Sequence, residues 1–552
     1  MKQAVVIGGG VAGLSTAGLL AREGYAVTVL ERGHTTGGRA GSWASSTEAG
    51  DFRFDTGPSW YLMPEVFEHW FAMMGSSVGE RLDLVDLDPA YRVFSPTAGA
   101  LEVRSGRRKA TELFESVEPG AGRALGAYLD SAGSTYVMAR ESFLYTTFSR
   151  IPLRTLRALL PRLRELVRLL TESLHDRVAR TVRDTRLRQV LGYPAVFLAA
   201  TPRTTPSMYH LMSSMDLDDG VRYPMGGFAR LVEAIEGVVR EAGVEIRLGT
   251  EVTEIVTDRP ASGRVLDAAR GRRARATGVR LADGELVPAD VVVSTADLHH
   301  TETRLLPEHL QTYGQRYWDR RTSGPGAVLA LLGVRGELPE LVHHNLFFTA
   351  DWDANFEAVF GPQPVVPRPA STYVCMPSAT DPSVAPAGHE NLFVLIPVSP
   401  DAVDGTSVGA GGIDGAGDPA VERAVDDAIA QMADWAGVPD LAERVVVRRT
   451  IGPADFARDY HAWRGNALGP GHTLWQSAFL RGQNTSRRVE NLLYAGATTA
   501  PGVGLPMCLI SAENVIKRLR GDHSDGPMDP VAFGAAARGR QGGPAGAADG
   551  AT

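Results

Sequence analysis

The chain has 552 residues, enough for two or more domains around a large core. Its composition, 44% apolar and 22% charged, is that of an ordinary globular protein, and a formal net charge of −8 argues against general electrostatic binding of nucleic acid. The only two cysteines, Cys375 and Cys508, lie far apart, which excludes a disulfide framework and suits a reducing, cytoplasmic compartment. No metal is expected, because no Cys/His cluster has ligand spacing and the adjacent pairs His299-His300 and His343-His344 are poorly placed to converge on one ion.

The run Ala4-Val5-Val6-Ile7 reads as a strand that breaks into Gly8-Gly9-Gly10-Val11-Ala12-Gly13. A helical pattern follows through Leu14, Leu19 and Leu20, then a second apolar run, Ala26 to Leu30, ends in Glu31. Strand, glycine turn, helix, strand and acid form the βαβ unit that binds a dinucleotide. Gly8 allows the tight turn, Gly10 lets backbone approach a pyrophosphate, and Gly13 lets the helix lie close on the sheet. The helix start offers free N–H groups to phosphates, and Glu31 is placed to accept from ribose hydroxyls. This folded unit, with Arg22-Glu23 inside it, argues against a signal peptide behind Lys2, and no run of about 18 apolar residues predicts a membrane span.

Gly37-Gly38-Arg39 follows Glu31 at once, and Phe54-Asp55-Thr56-Gly57-Pro58-Ser59 comes next. With these residues the sequence resembles the bacterial phytoene desaturase family, within the flavoproteins of the amine oxidase type. The resemblance implies FAD, lying along Gly38, Arg39, Gly57, Pro58 and Ser59.

Helices are predicted near Met63 to Met74 and Ala121 to Met138, with strands near Tyr91 to Phe94 and Ala100 to Val103. Between Arg150 and Arg188 stand eleven arginines, no lysine and four acids. Leucines interleave with them, from Leu153 to Leu170, at a spacing that suits an amphipathic helix with Pro152 near its start and Pro161 at a kink. Two readings stay open. The leucines face the core and the arginines water, or the helix lies on an anionic membrane surface; a membrane-lipid substrate favours the second. Tyr193 to Leu198 and Met208 to Met215 suit either a greasy tunnel or ordinary packing.

Tyr223-Pro224-Met225-Gly226-Gly227-Phe228 reads as a turn that closes over the cofactor and leads into a helix, Ala229 to Ala242. Strands follow at Glu245 to Leu248, Gly278 to Leu281, Leu286 to Val287 and Ala289 to Ala296, with Asp283-Gly284 a hairpin turn. In relatives, backbone at the position of Val252 meets the adenine. Val328 to Val334 and Leu392 to Val398 read as strands, with His389-Glu390-Asn391 a turn, and Thr372 to Pro382 resembles a segment of the desaturases. Asp404 to Asp418 reads as a flexible surface insertion. A helix, Ala420 to Trp435, and a strand, Val445 to Arg449, come after it.

The closing motif, Asn491 to Met507, passes from a strand into a Gly/Pro loop and a helix from about Cys508 to Leu519. In relatives the residue at Gly496 touches the pyrophosphate, and the loop through Val503, Gly504 and Met507 touches the flavin ring. Many amine oxidases carry an acid after the Ala-Gly pair; Ala497 and Thr498 stand here, as in the desaturases. Past Gly521 a disordered tail is expected.

The expected fold is α/β: a Rossmann-like, two-dinucleotide-binding FAD domain (1–90, 220–300 and 480–520), a mixed-sheet substrate domain with a helical subdomain that is a candidate for membrane association (91–219 and 301–479), and the tail 521–552. The resemblance implies desaturation of a C40 precursor such as phytoene, by hydride transfer to flavin and proton loss, with a membrane quinone or oxygen as acceptor. Peripheral membrane association goes with that substrate. No catalytic residue is singled out; Arg150, Tyr145 and Asp55 lie in plausible regions for a proton acceptor. Three alternatives stay open: a sister carotenoid oxidoreductase (isomerase, ketolase or oxygenase), an amine oxidase, whose aromatic pair beside the flavin is not identifiable, and a non-catalytic flavin-binding scaffold.

Overall fold

Gln3–Ile7 sits between two parallel neighbours, Ala26–Leu30 on one side and Val291–Ser294 on the other. Leu492–Tyr494 and Glu245–Arg247 complete a five-stranded parallel sheet at its two edges. The computed structural model describes residues 1–149, 160–258, 273–401 and 407–534. The near-continuous apolar runs of this sheet follow from its burial on both faces. On one face the first helix, Val11–Arg22, packs on the closing helix, Leu505–Arg520, and on Phe228–Glu241. Leu14, Leu19, Leu20, Leu231, Ile235, Leu509 and Val515 are buried there. On the other face lie Val252, Ile255, Val279 and Leu281 of an antiparallel three-stranded sheet, which turns at Asp283-Gly284 as the sequence predicts.

A second, seven-stranded sheet runs Val445–Ile451, Gly326–Arg335, His389–Val398, Thr372–Cys375, His344–Phe347, Tyr91–Ser95, Ala98–Val103. It is antiparallel except where His344–Phe347 pairs with Tyr91–Ser95. Gly326–Arg335, the strand next to the edge strand Val445–Ile451, is buried over nine of its ten residues. Helices Pro419–Ala436 and Ala121–Ala139 belong to the layers that cover this half of the molecule.

Several expectations are corrected. His389-Glu390-Asn391 is strand, paired with Arg335, Val334 and Gly333. The turn lies just before it, where Gly388 takes a positive φ and the His389 N–H reaches the Pro386 carbonyl. The polar side chains are used laterally, Asn391 Nδ2 donating to the Arg53 carbonyl at 2.7 Å. Within Asp404 to Asp418, residues 402–406 lie outside the described residues, but 407–418 are tied down. Val408 is buried, and the Gly411 and Gly412 N–H groups reach Asp455 Oδ2 and Thr450 Oγ1 at 2.6 and 2.8 Å. The closing helix begins at Leu505 rather than Cys508, because proline is accepted in a first turn, whose N–H groups have no helical partner.

The tail expected to be disordered from Gly521 is packed as far as residue 534: Met528 and Phe533 are buried against the first layer, and Lys517 Nζ donates to the Ser524 carbonyl. Residues 535–552 lie outside the described residues. The single amphipathic helix expected between Arg150 and Arg188 is replaced, beyond 150–159, which also lie outside the described residues, by Leu163–Thr171, Leu174–Thr181 and Thr185–Gly192. Ser173 and Asp184 cause the breaks. Each leaves helical geometry and accepts a backbone N–H of the next helix, from Asp176 and from Arg186 respectively.

Candidate active site

One cavity of about 1430 Å3 runs between the two sheets. Its size exceeds the roughly 300–1,000 Å3 usual for a single small-ligand site. Gly8, Gly10, Glu31, Gly38, Arg39, Gly57, Pro58, Ser59, Val252, Gly496, Val503, Gly504 and Met507 all line it. Gly13 lies beneath the wall, where a Cβ would overlap the Gly8 carbonyl oxygen. The first and the closing helix both start on the cavity, from Gly10 and Gly504, so two sets of free N–H groups face it.

The polar groups in this part are arranged for a phosphate- and ribose-bearing ligand. Glu31 accepts the Gly9 and Gly33 N–H groups at 2.6 Å each, which fixes the glycine turn and leaves carboxylate lone pairs for hydroxyls. Arg39 stacks over the Tyr460 ring at 5.4 Å, while its Nε and Nη2 are buried without a hydrogen-bond partner. A buried guanidinium short of acceptors fits an anionic or carbonyl-rich ligand beside it. Asp297 caps the helix Leu298–Arg304 through the His299 and His300 N–H groups, and burial raises its carboxyl above the usual range.

Much of the remaining lining is apolar. Tyr193, Val196, Phe197, Leu198, Met208, Leu211, Met212 and Met215 all line the cavity, and Tyr193, Leu211 and Met215 are at the same time packed into the core, so lining and packing apply together. Aromatic rings follow one another along the wall: Trp60 to Tyr193 at 5.9 Å, Tyr193 to Phe348 at 6.4 Å, Phe348 to Trp352 at 5.0 Å, Trp352 to Phe356 at 5.1 Å and Phe356 to Phe360 at 6.3 Å. Sequence reasoning missed this row; its spacing at 352, 356 and 360, one helical turn apart, was the available signal. Trp60 also neighbours Phe197 and Tyr373, at 5.6 and 6.2 Å. Behind the wall Tyr193 donates to Asp216 Oδ2 at 2.6 Å, and burial pushes the Asp216 carboxyl up to about 7.

The proton-acceptor candidates fare differently. Arg150 lies outside the described residues. Tyr145 is buried off the cavity, and burial holds its phenol well above the usual range. Asp55 accepts the Phe228 and Ala229 N–H groups at 2.7 and 3.1 Å and caps that helix. Its packing raises its carboxyl to about 6. The turn Tyr223 to Phe228 therefore sits on Asp55 and Asp381 rather than over the cavity. The structure also gathers His343, His344 and Cys375, whose ligand atoms lie within 4.8 Å of one another.

A parallel sheet with a glycine turn, a second glycine-framed helix start and a long apolar extension make the mixed α/β fold of a flavoprotein oxidoreductase. The comparisons agree. The family model for flavin containing amine oxidoreductases matches residues 11–518, and the chain belongs to that family. It is 38% identical over 94% of its length to a carotenoid 3,4-desaturase of Haloarcula japonica, covering 98% of that relative. It is 33% identical to a zeta-carotene-forming phytoene desaturase of Myxococcus xanthus, with 94% of each chain covered. Among solved structures it shares the fold of an oxidoreductase from Methanosarcina mazei, at TM-score 0.60 and 16% identity over 93% of this chain and all of that one. Putrescine oxidase bound to putrescine aligns at TM-score 0.58 and 12% identity over 94% and 98% of the two chains. The protein is an FAD-dependent oxidoreductase.

Proposed function

We propose that this protein is a carotenoid desaturase, which removes hydrogen from a C40 polyene such as phytoene. The row of rings from Trp60 to Phe360, opening from the same cavity as the glycine turn and Arg39, carries this reading. A hydrocarbon offers no charge to grip, so recognition rests on apolar and aromatic walls that hold a long flat chain and exclude water. Bound FAD supplies the two-electron acceptor. Gly8, Gly10, Glu31, Gly38, Arg39, Gly57, Pro58, Ser59, Val252, Gly496, Val503, Gly504 and Met507 are assigned to hold it, with Gly13 closing the helix on the sheet. Residues 1–90, 220–300 and 480–520 would form its domain. The carotenoid and phytoene desaturases among the relatives support the substrate class.

An amine substrate fits less well. The carboxylates lining the cavity, among the described residues, are Glu31, Glu251, Asp297, Asp455 and Asp459, and none stands in the sequence segments that carry the aromatic row. Product analysis tests the assignment: the purified holoenzyme, given phytoene, longer polyenes and putrescine in separate vesicle suspensions, should lengthen a polyene chromophore and leave the amine untouched. Amine turnover without polyene turnover would reverse it.

The same reading carries membrane association, with a membrane quinone or oxygen as acceptor. Leu163 and Val167 are each 50% exposed on the helix whose Leu166 and Leu170 line the cavity, and Phe479, which also lines it, is 64% exposed. Arg162, Arg164 and Arg168 are exposed beside them. An apolar rim with basic residues suits entry of substrate from an anionic bilayer.

A further inference from the structure

We infer that Ser59, Tyr373 and His344 form a proton relay that takes up the proton lost by the substrate. The inference rests on the desaturase reading, in which hydride loss to the flavin leaves a carbocation that must shed a neighbouring proton inside an apolar cavity.

Ser59 is half-buried and lines the cavity directly after Gly57-Pro58. Its Oγ lies 2.6 Å from the Tyr373 hydroxyl, which lies 2.8 Å from His344 Nδ1. His344 is fully buried, its Nε2 has no partner, and its ring stacks on Trp60 at 4.5 Å and 10°. A hydroxyl on the wall thus leads through a second hydroxyl to a neutral imidazole out of reach of solvent. The competing set, Tyr193–Asp216–Tyr91, is closed on itself: both hydroxyls turn inward onto one carboxylate oxygen at 2.6 and 3.1 Å.

In the step, the C–H bond next to the cationic carbon breaks and its electron pair becomes the new C=C bond. The proton goes to Ser59 Oγ, the Ser59 proton to the Tyr373 oxygen, and the Tyr373 proton to His344 Nδ1. The hydride has already gone to the flavin, so atoms and electrons balance. Burial keeps His344 neutral far below its ordinary range. A weak base suffices, because the C–H beside a carbocation is a far stronger acid than any imidazolium. The Trp60 face stabilises the imidazolium while it lasts, and the proton leaves by the same hydroxyls after product release.

A metal reading of His343, His344 and Cys375 is weaker. Both Nδ1 atoms are engaged, with Thr380 Oγ1 and Tyr373 OH at 2.8 Å each.

Two measurements on the holoenzyme test the relay. Nitrogen NMR of histidine-labelled protein should find His344 as the neutral Nε2–H tautomer, with Nδ1 accepting from Tyr373, and this signal should shift in Tyr373→Phe. An Nδ1–H tautomer would overturn the relay whatever the substrate. In turnover with a polyene, Tyr373→Phe should lower kcat about 100-fold, the low end for a lost general base. KM should stay within about twofold and flavin content and Tm should be unchanged. Any solvent isotope effect of the wild type should be gone in the variant. Wild-type kcat in Tyr373→Phe, or that loss in Asp216→Asn alone, would overturn the relay. Failure of the wild type to turn over any polyene would instead strike the desaturase reading beneath it, while the tautomer still decides whether the relay geometry exists.

Discussion

On the proposed assignment, Arg39 is the side chain that points most directly to the cofactor. Two of its nitrogens are buried without acceptors, a costly state for a guanidinium, and it faces the cavity. Arg39→Met should therefore leave the apoprotein as stable as the wild type or more so, while weakening FAD retention at least tenfold by flavin fluorescence. Loss of both together would mean that Arg39 is simply structural. Buried titratable groups set the pH dependence of stability, in opposite directions. Asp216 has its carboxyl raised from 3.8 to about 7, so the folded chain binds the extra proton and stability is lost as pH rises through that window. Asp216→Asn should remove that loss. Burial lowers His343 from 6.5 to about 3, so its contribution is complete above 6.5 and is lost as pH falls toward 3. His343→Gln should flatten the acid side of the Tm profile, and a variant that steepens it would contradict the assignment.

At the scale of elements, the first forty residues and the closing motif were legible because each is one contiguous stretch under local steric rules. Gly13 must lack a Cβ, and Gly8 and Gly504 take positive φ. The break of the basic segment was also legible in principle, since Ser173 and Asp184 stand where helix caps belong. Glu172 gathers part of that charge, with Arg168 and Arg177 at 3.5 and 3.9 Å and Arg180 also paired to it. Among the described residues, the helix Leu163–Thr171 keeps Leu163, Arg164 and Val167 exposed, as is Arg162 just before it, and the proposed membrane contact is placed there. The pair Leu163→Glu and Val167→Glu should abolish flotation with anionic vesicles at low salt while leaving Tm unchanged, because both side chains are half in water already. Flotation that survives would place the contact elsewhere. Asp55→Ala removes a carboxylate from the start of Phe228–Glu241 and should cost about 1–2 kcal/mol by denaturant unfolding.

At the scale of the whole molecule, the cavity was not legible, and the reason is topological. Ser59 and Tyr373 are 314 residues apart, joined because the Gly50–Asp55 ribbon reaches the second sheet, and Tyr373 meets His344 only through the register that pairs Leu346 with Tyr373. The row from Trp60 to Phe360 draws on three separate stretches of chain, around 60, 193 and 348–360. Composition could announce aromatic residues; it could not place them on one wall. The glycine turns and the aromatic row line one continuous cavity, where, on the proposed reading, a polyene reduces the flavin directly. An anaerobic titration on phytoene-containing liposomes tests it. The oxidised-flavin absorbance should bleach in step with the appearance of a longer polyene chromophore in the extract. Bound FAD that stays oxidised in the presence of phytoene and of longer carotenoids would contradict the account.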